Sequence, residues 1–140
     1  MQAQEVMTPN PVTVSPETSV AEVWDLMRQH AVRHMPVVDR GALVGMVSDR
    51  DLAHFDMARV LTAEGAEALR RELGTPVVKV MSSDVVDVNP DAELGEVVDL
   101  LVENRIGAVP VVRPETQELI GIVSYIDVLE AVRDLLEVSE

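Results

Sequence analysis

The chain repeats itself. Val6-Met7-Thr8 returns as Val80-Met81-Ser82, 74 residues on, and Val12-Thr13-Val14-Ser15-Pro16 returns as Val86-Asp87-Val88-Asn89-Pro90. Glu22-Val23-Trp24-Asp25-Leu26 matches Glu96-Val97-Val98-Asp99-Leu100, and Met35-Pro36-Val37-Val38 matches Val109-Pro110-Val111-Val112. The offset then grows to 76. Leu43-Val44-Gly45-Met46-Val47-Ser48 matches Leu119-Ile120-Gly121-Ile122-Val123-Ser124, and Asp51 matches Asp127. The two added residues fall in a turn, where insertions cost least. A copy of roughly 50 residues buries little surface alone. Two copies packed face to face about a pseudo-two-fold axis would share one core, so the pair is expected to form one module.

Each copy reads as strand, helix, strand, strand, helix. In the first, a short strand at Val12–Val14 leads to a helix from Val20 to His30. Ser19 and Glu22 have the spacing of a capping box at its start. Val20, Val23, Met27 and Ala31 recur at helical spacing. Strands follow at Met35–Val38 and Leu43–Val47, with Asp39-Arg40-Gly41 as a tight hairpin turn between them. A second helix follows Ser48. The second copy keeps this plan, with Arg113 to Glu118 as the longer turn. Its last helix carries Ile126, Leu129, Val132 and Leu136 on one face. Between the copies, Thr62 is expected to cap a short helix that Gly74 and Pro76 end. The expected division is residues 1–60, a connecting helix and linker over 61–79, and residues 80–140. The fold class is α/β in the broad sense, with strands and helices mixed in each repeat (α+β).

Composition removes several functions. Apolar residues make up 47% of the chain, which argues against disorder. Trp24, Phe55 and Tyr125 are the only aromatics. The core must therefore be aliphatic, and a base-stacking nucleic-acid surface is not expected. The formal net charge of −14 repels polyanions, so DNA, RNA and anionic membranes are poor partners. The absence of Cys excludes disulfides, thiolate catalysis and Cys-based zinc sites. No leader pattern is visible at Met1–Glu5, and no apolar run is long enough to span a bilayer. A cytoplasmic location is the expectation.

The repeated stretches resemble CBS domains, which occur in tandem pairs called Bateman modules. Val32-Arg33-His34-Met35-Pro36-Val37-Val38-Asp39 and Leu43-Val44-Gly45-Met46-Val47-Ser48-Asp49-Arg50-Asp51-Leu52 carry the resemblance. Their counterparts run from Ile106 to Val112 and from Leu119 to Val128. The resemblance covers the chain from Val6 to Ala131, and no attached catalytic or transport domain is expected. It implies two small sheets with helices outside, and two equivalent clefts between the repeats. It implies adenosine-containing ligands such as AMP, ADP, ATP or S-adenosylmethionine, and hence energy sensing. It also implies a homodimer and an effector protein whose identity the sequence does not carry. Residue by residue, Ser48 and Ser124 would contact phosphate, and Asp51 and Asp127 would hold the ribose hydroxyls. Asp127 and Ser124 would then face Thr8, Thr13, Val32, Arg33 and His34. Asp51 and Ser48 would face Ser82, Asp87, Ile106, Gly107 and Ala108.

The chemistry suits that task. A carboxylate accepts two hydrogen bonds from a cis-diol. A helix start offers unpaired N–H groups to phosphate. Val32 or Ile106 would sandwich an adenine. The same Ser-x-x-Asp spacing also describes a helix cap that needs no ligand, and the sequence leaves both readings open. Arg33 and His34 would make the Asp127 cleft the tighter phosphate site, whereas Asp87 would add negative charge to the other, and Arg50 would either offset it or point to solvent. His30 and His34 have metal-ligand spacing, but the helix is expected to end between them, so no metal is anticipated. Met7, Met81 and Trp24 read as packing residues. Gly45 and Gly121 read as points of close backbone approach. No nucleophile–base arrangement or metal cluster emerges, so an enzyme is not expected. The alternative to a ligand sensor is a ligand-free dimerising module.

Overall fold

The computed structural model describes residues 1–53 and 63–138. Helix α1 (Ala3–Val6) and strand β1 (Thr8–Pro9) open the chain. The first repeat continues with α2 (Val20–His30), β2 (His34–Asp39), β3 (Ala42–Ser48) and α3 (Asp49–Leu52). Helix α4 (Ala63–Leu73) and a 3-10 turn (Val77–Lys79) lead to the second repeat. It consists of α5 (Leu94–Asn104), β4 (Ala108–Val112), β5 (Leu119–Ser124) and α6 (Tyr125–Val138). Mixed helices and strands were expected, and the helix, strand, strand, helix order within each repeat agrees. Thr62, the expected cap of α4, lies outside the described residues.

Local chemistry explains the boundaries. Ser19 accepts a hydrogen bond from the Glu22 N–H at 3.2 Å, the serine half of the anticipated capping box. Helix α2 ends at Ala31 and α5 at Arg105, both left-handed residues. The hairpin between β2 and β3 turns on Arg40 and Gly41, with φ of 52° and 84°. Two consecutive positive φ values make the primed turn that matches strand twist. The expected strands at Val12–Val14 and Val86–Val88 shrink to single parallel bridges, Val14 to Val37 and Val88 to Val111. Prolines 11 and 16 bracket the first segment, and Pro90 follows the second. A proline cannot donate to a ladder, so neither segment extends.

The chain divides into two compact units, and neither is a single repeat. Unit 1 comprises Met1–Pro11, Gly41–Leu43 and Val86–Glu140; unit 2 comprises Val12–Arg40 and Val44–Val85. The segment leading into each repeat is thus exchanged. In unit 1, β1 pairs antiparallel with β5, Thr8 opposite Ile122, in the sheet order β1-β5-β4. In unit 2, Ser82 exchanges two backbone hydrogen bonds with Met46, at 2.8 and 2.9 Å.

The exchange divides the core. Buried side chains form one cluster in each unit, where the sequence anticipates a single shared core. Val20, Val23, Met35, Val37, Val47 and Leu52 anchor unit 2, with Met81 packed against them. Ala3, Val97, Val109, Val111 and Val123 anchor unit 1, with Met7 packed against them. Gly45 and Gly121 make this possible. A Cβ on Gly45 would collide with the Met81 sulfur and stand 3.0 Å from the Ser82 carbonyl. A Cβ on Gly121 would collide with the Met7 sulfur and stand 3.1 Å from the Thr8 carbonyl. The close approach expected at these glycines is therefore by the other repeat's lead-in segment.

Candidate functional site

Each unit contains one serine–aspartate corner, where a strand ends and a helix begins. In unit 1, the Ser124 N–H donates to Asp127 Oδ2 at 2.9 Å, and the Asp127 N–H donates to Ser124 Oγ at 3.2 Å. Ser124 Oγ also donates to Asp127 Oδ2 at 3.1 Å. The other carboxylate oxygen is reached from the first repeat: Thr8 Oγ1 donates to Asp127 Oδ1 at 3.2 Å. Thr8 is exposed, and Ser124 and Asp127 are half-buried, so solvent reaches this polar group. Behind it, the Tyr125 N–H donates to the Gly107 carbonyl at 3.0 Å, and Ala108 sits opposite Ser124 in the β4–β5 pair. Ile106 is half-buried at the α5–β4 connection, and Asp87 is exposed.

In unit 2, the Ser48 N–H donates to Asp51 Oδ2 at 2.8 Å, and the Asp51 N–H donates to Ser48 Oγ at 3.2 Å. These two bonds are a full capping box at α3. Among the described residues, Asp51 Oδ1 has no hydrogen-bond partner, and no bond joins Ser82 to Asp51. Ser82 and Thr13 are exposed. The Asp49 N–H donates to the Arg33 carbonyl at 2.9 Å, the counterpart of the Tyr125–Gly107 bond. His34 is half-buried at the head of β2. Burial lowers its pKa, Asp49 and Asp51 raise it, and Arg33 and Arg50 lower it. Val32 lines a pocket of unit 2 with Arg33.

Of the anticipated groupings, unit 1 brings Thr8, Ser124 and Asp127 into contact. It also contains Asp87, Ile106, Gly107 and Ala108. Unit 2 holds Ser48, Asp51, Arg50, His34, Arg33, Val32, Thr13 and Ser82. His30 ends α2 and His34 begins β2, with the left-handed Ala31 between them. Among the described residues no group of three or more His, Asp or Glu is placed to hold a metal, and no helix is long and apolar enough to cross a membrane. Asp49 and Arg28 carry charge where the second repeat has Tyr125 and Val102. Comparison of the two copies position by position is the signal that singles them out.

A CBS domain-containing protein of Bacillus subtilis, YhcV, is 37% identical over 124 residues, covering 89% of this chain and 80% of the relative. The crystal structure of a putative acetoin utilization protein, AcuB, from Vibrio cholerae superposes with a TM-score of 0.82 at 30% identity, over 99% of this chain and 95% of that one. CBSX2, solved in complex with AMP, gives 0.78 at 30% identity, over 99% and 98%. The CBS domain family model matches twice, at residues 3–58 and 77–134. Each match takes in one lead-in segment and one serine–aspartate corner, and together they span most of the sequence, so the chain belongs to the CBS-domain family.

Proposed function

We propose that this chain is a regulatory, non-catalytic module that binds an adenosine-containing ligand and reports its occupancy to a partner protein in trans. AMP, ADP, ATP and S-adenosylmethionine are the candidate ligands, and a cytoplasmic setting with energy sensing is the role that fits the adenine nucleotides. The observation that carries the reading is the Thr8–Asp127 contact. It joins a residue of the first repeat to the serine–aspartate corner of the second, within one unit. A carboxylate held by its own serine presents its remaining acceptor capacity to a ribose cis-diol, and the hydroxyls beside it suit a phosphate. The AMP complex of CBSX2, a relative of matching length, supports the ligand class. In unit 2, Ser48, Asp51 and Ser82 are the corresponding candidates.

Thermal unfolding with AMP, ADP, ATP, S-adenosylmethionine and NADH tests the proposal. A ligand at 100 times its Kd adds about 2.7 kcal/mol of stability. The shift should vanish in Asp127→Ala for at least one adenine nucleotide. No shift with any of them at millimolar concentration would overturn the sensor reading. One observation favours the dimerising module as a second reading. Along α6, Ile126, Leu129 and Val132 form an apolar stripe that is 47%, 58% and 42% exposed. Such a stripe suits burial against a second copy of this chain. Sedimentation of the same samples separates the readings: a ligand-independent dimer that Leu129→Glu disrupts supports the second.

A further inference from the structure

Unit 2 contains a pocket of about 210 Å³ between α2, α3 and the α2–β2 connection. Its floor is Met27, Val32 and Leu52, and Trp24 forms a wall. Arg28, Arg33 and Asp49 form the rim. The duplication separates what the fold needs from what it does not. The floor residues correspond to Leu101, Ile106 and Val128 in the second repeat, apolar in both copies. The rim residues correspond to Val102, Gly107 and Tyr125, and Trp24 corresponds to Val98. The second repeat folds without any charge or indole at these places, so the fold common to both copies does not require them.

Arg28 is already paired with Asp25 at 3.0 Å. Arg33 has no ion pair among the described residues. Arg33 and Asp49 both line the same pocket, which puts one cation and one anion at the lip of an apolar cavity. That combination matches a molecule with both charges at one end and an apolar group at the other. Such a zwitterion has no net charge, so the chain's −14 does not repel it as it would an anion. The volume falls below the roughly 300 Å³ at which drug-sized sites begin, which favours a small ligand over a nucleotide. We propose that this pocket binds a small apolar α-amino acid. Its carboxylate meets Arg33, its ammonium meets Asp49, and its side chain lies on the floor against Trp24.

Trp24 is the only tryptophan, so its fluorescence reports on this pocket alone. L-leucine titrated into the full chain should give a saturable change. 4-Methylpentanoate lacks the ammonium and isoamylamine lacks the carboxylate, and each should bind at least about tenfold more weakly. Asp49→Asn should weaken L-leucine by about tenfold while leaving 4-methylpentanoate unchanged. Arg33→Met should weaken both carboxylates, and it carries the test if Asp49→Asn fails to fold. The proposal is overturned by no saturable signal up to about 50 mM L-leucine, an affinity too weak to matter. It is equally overturned if 4-methylpentanoate binds as well as L-leucine, or if neither substitution changes the leucine titration.

Discussion

The serine–aspartate corner is built twice, and the copies differ in what reaches the carboxylate. The cap is common to both: serine Oγ accepts from the aspartate N–H at 3.2 Å in each unit, and the serine N–H donates back at 2.9 and 2.8 Å. Ser124 Oγ also donates to Asp127 Oδ2 in unit 1, and the second oxygen differs as well. Thr8 reaches Asp127 Oδ1 in unit 1, whereas among the described residues nothing reaches Asp51 Oδ1 in unit 2. The cap therefore occupies only part of each carboxylate. One oxygen and the backbone serve the helix, and the other oxygen, which Thr8 reaches in unit 1, stands outside the cap.

The largest expected effect breaks the comparison at that oxygen. Asp127→Ala should lower AMP affinity by about 100-fold, the loss of two hydrogen bonds to an ionised acceptor. Asp51→Ala should lower it by about tenfold or less, since no Thr8 equivalent contacts that carboxylate. Calorimetric titration of both variants with AMP reads the difference. Equal losses, or a larger loss at Asp51, would remove the functional distinction between the units.

Where the units agree, they should respond alike. Gly45→Ala and Gly121→Ala each force a Cβ into a methionine sulfur and toward a carbonyl of the exchanged segment. Overpacking of this kind costs about 1–3 kcal/mol. Urea unfolding should show similar losses for the two variants. Replacing Met81 or Met7 by Ala in the same chain should recover part of the loss. A neutral Gly121→Ala beside a damaging Gly45→Ala would mean that the lead-in segments are not packed equivalently.

These glycines show how much the sequence made legible. The duplication predicts the element order, because apolar spacing, caps and turn residues act locally and each copy supports the other. Helix α2 runs from Val20 to His30 as its periodicity predicts. The exchange of lead-in segments supports the anticipated meeting of Thr8 with Asp127, since each repeat's first residues pair with the other's last strand. Core partition was not legible, because Val-rich strands look alike whichever unit they complete. The short strands failed for a local reason, the prolines beside them. Asp49 escaped notice because a helix-start aspartate ordinarily needs no explanation beyond the helix dipole. Only its replacement by Tyr125 in the other copy marks it out.

The smallest expected effect concerns His34, whose counterpart in unit 1 is the buried Ala108. Burial holds the His34 pKa below its ordinary value, with Arg33 and Arg50 adding to the shift and Asp49 and Asp51 opposing it. The unfolded chain then takes up a proton near pH ~6.5 that the folded chain takes up only at lower pH. Across that interval the unfolded state binds more protons, so stability falls as pH drops and recovers as pH rises. Above the interval His34 is neutral in both states and contributes no slope. His34→Ala gives unit 2 the residue of unit 1 and should remove this component. Urea midpoints for both chains at about pH 5, 6 and 7 isolate it, because the many carboxylates contribute to both. The wild type should lose stability relative to His34→Ala as the pH falls. A wild type that instead gains on the variant at acid pH would mean that Asp49 and Asp51 outweigh burial, and that His34 is tuned as a cation at the head of β2.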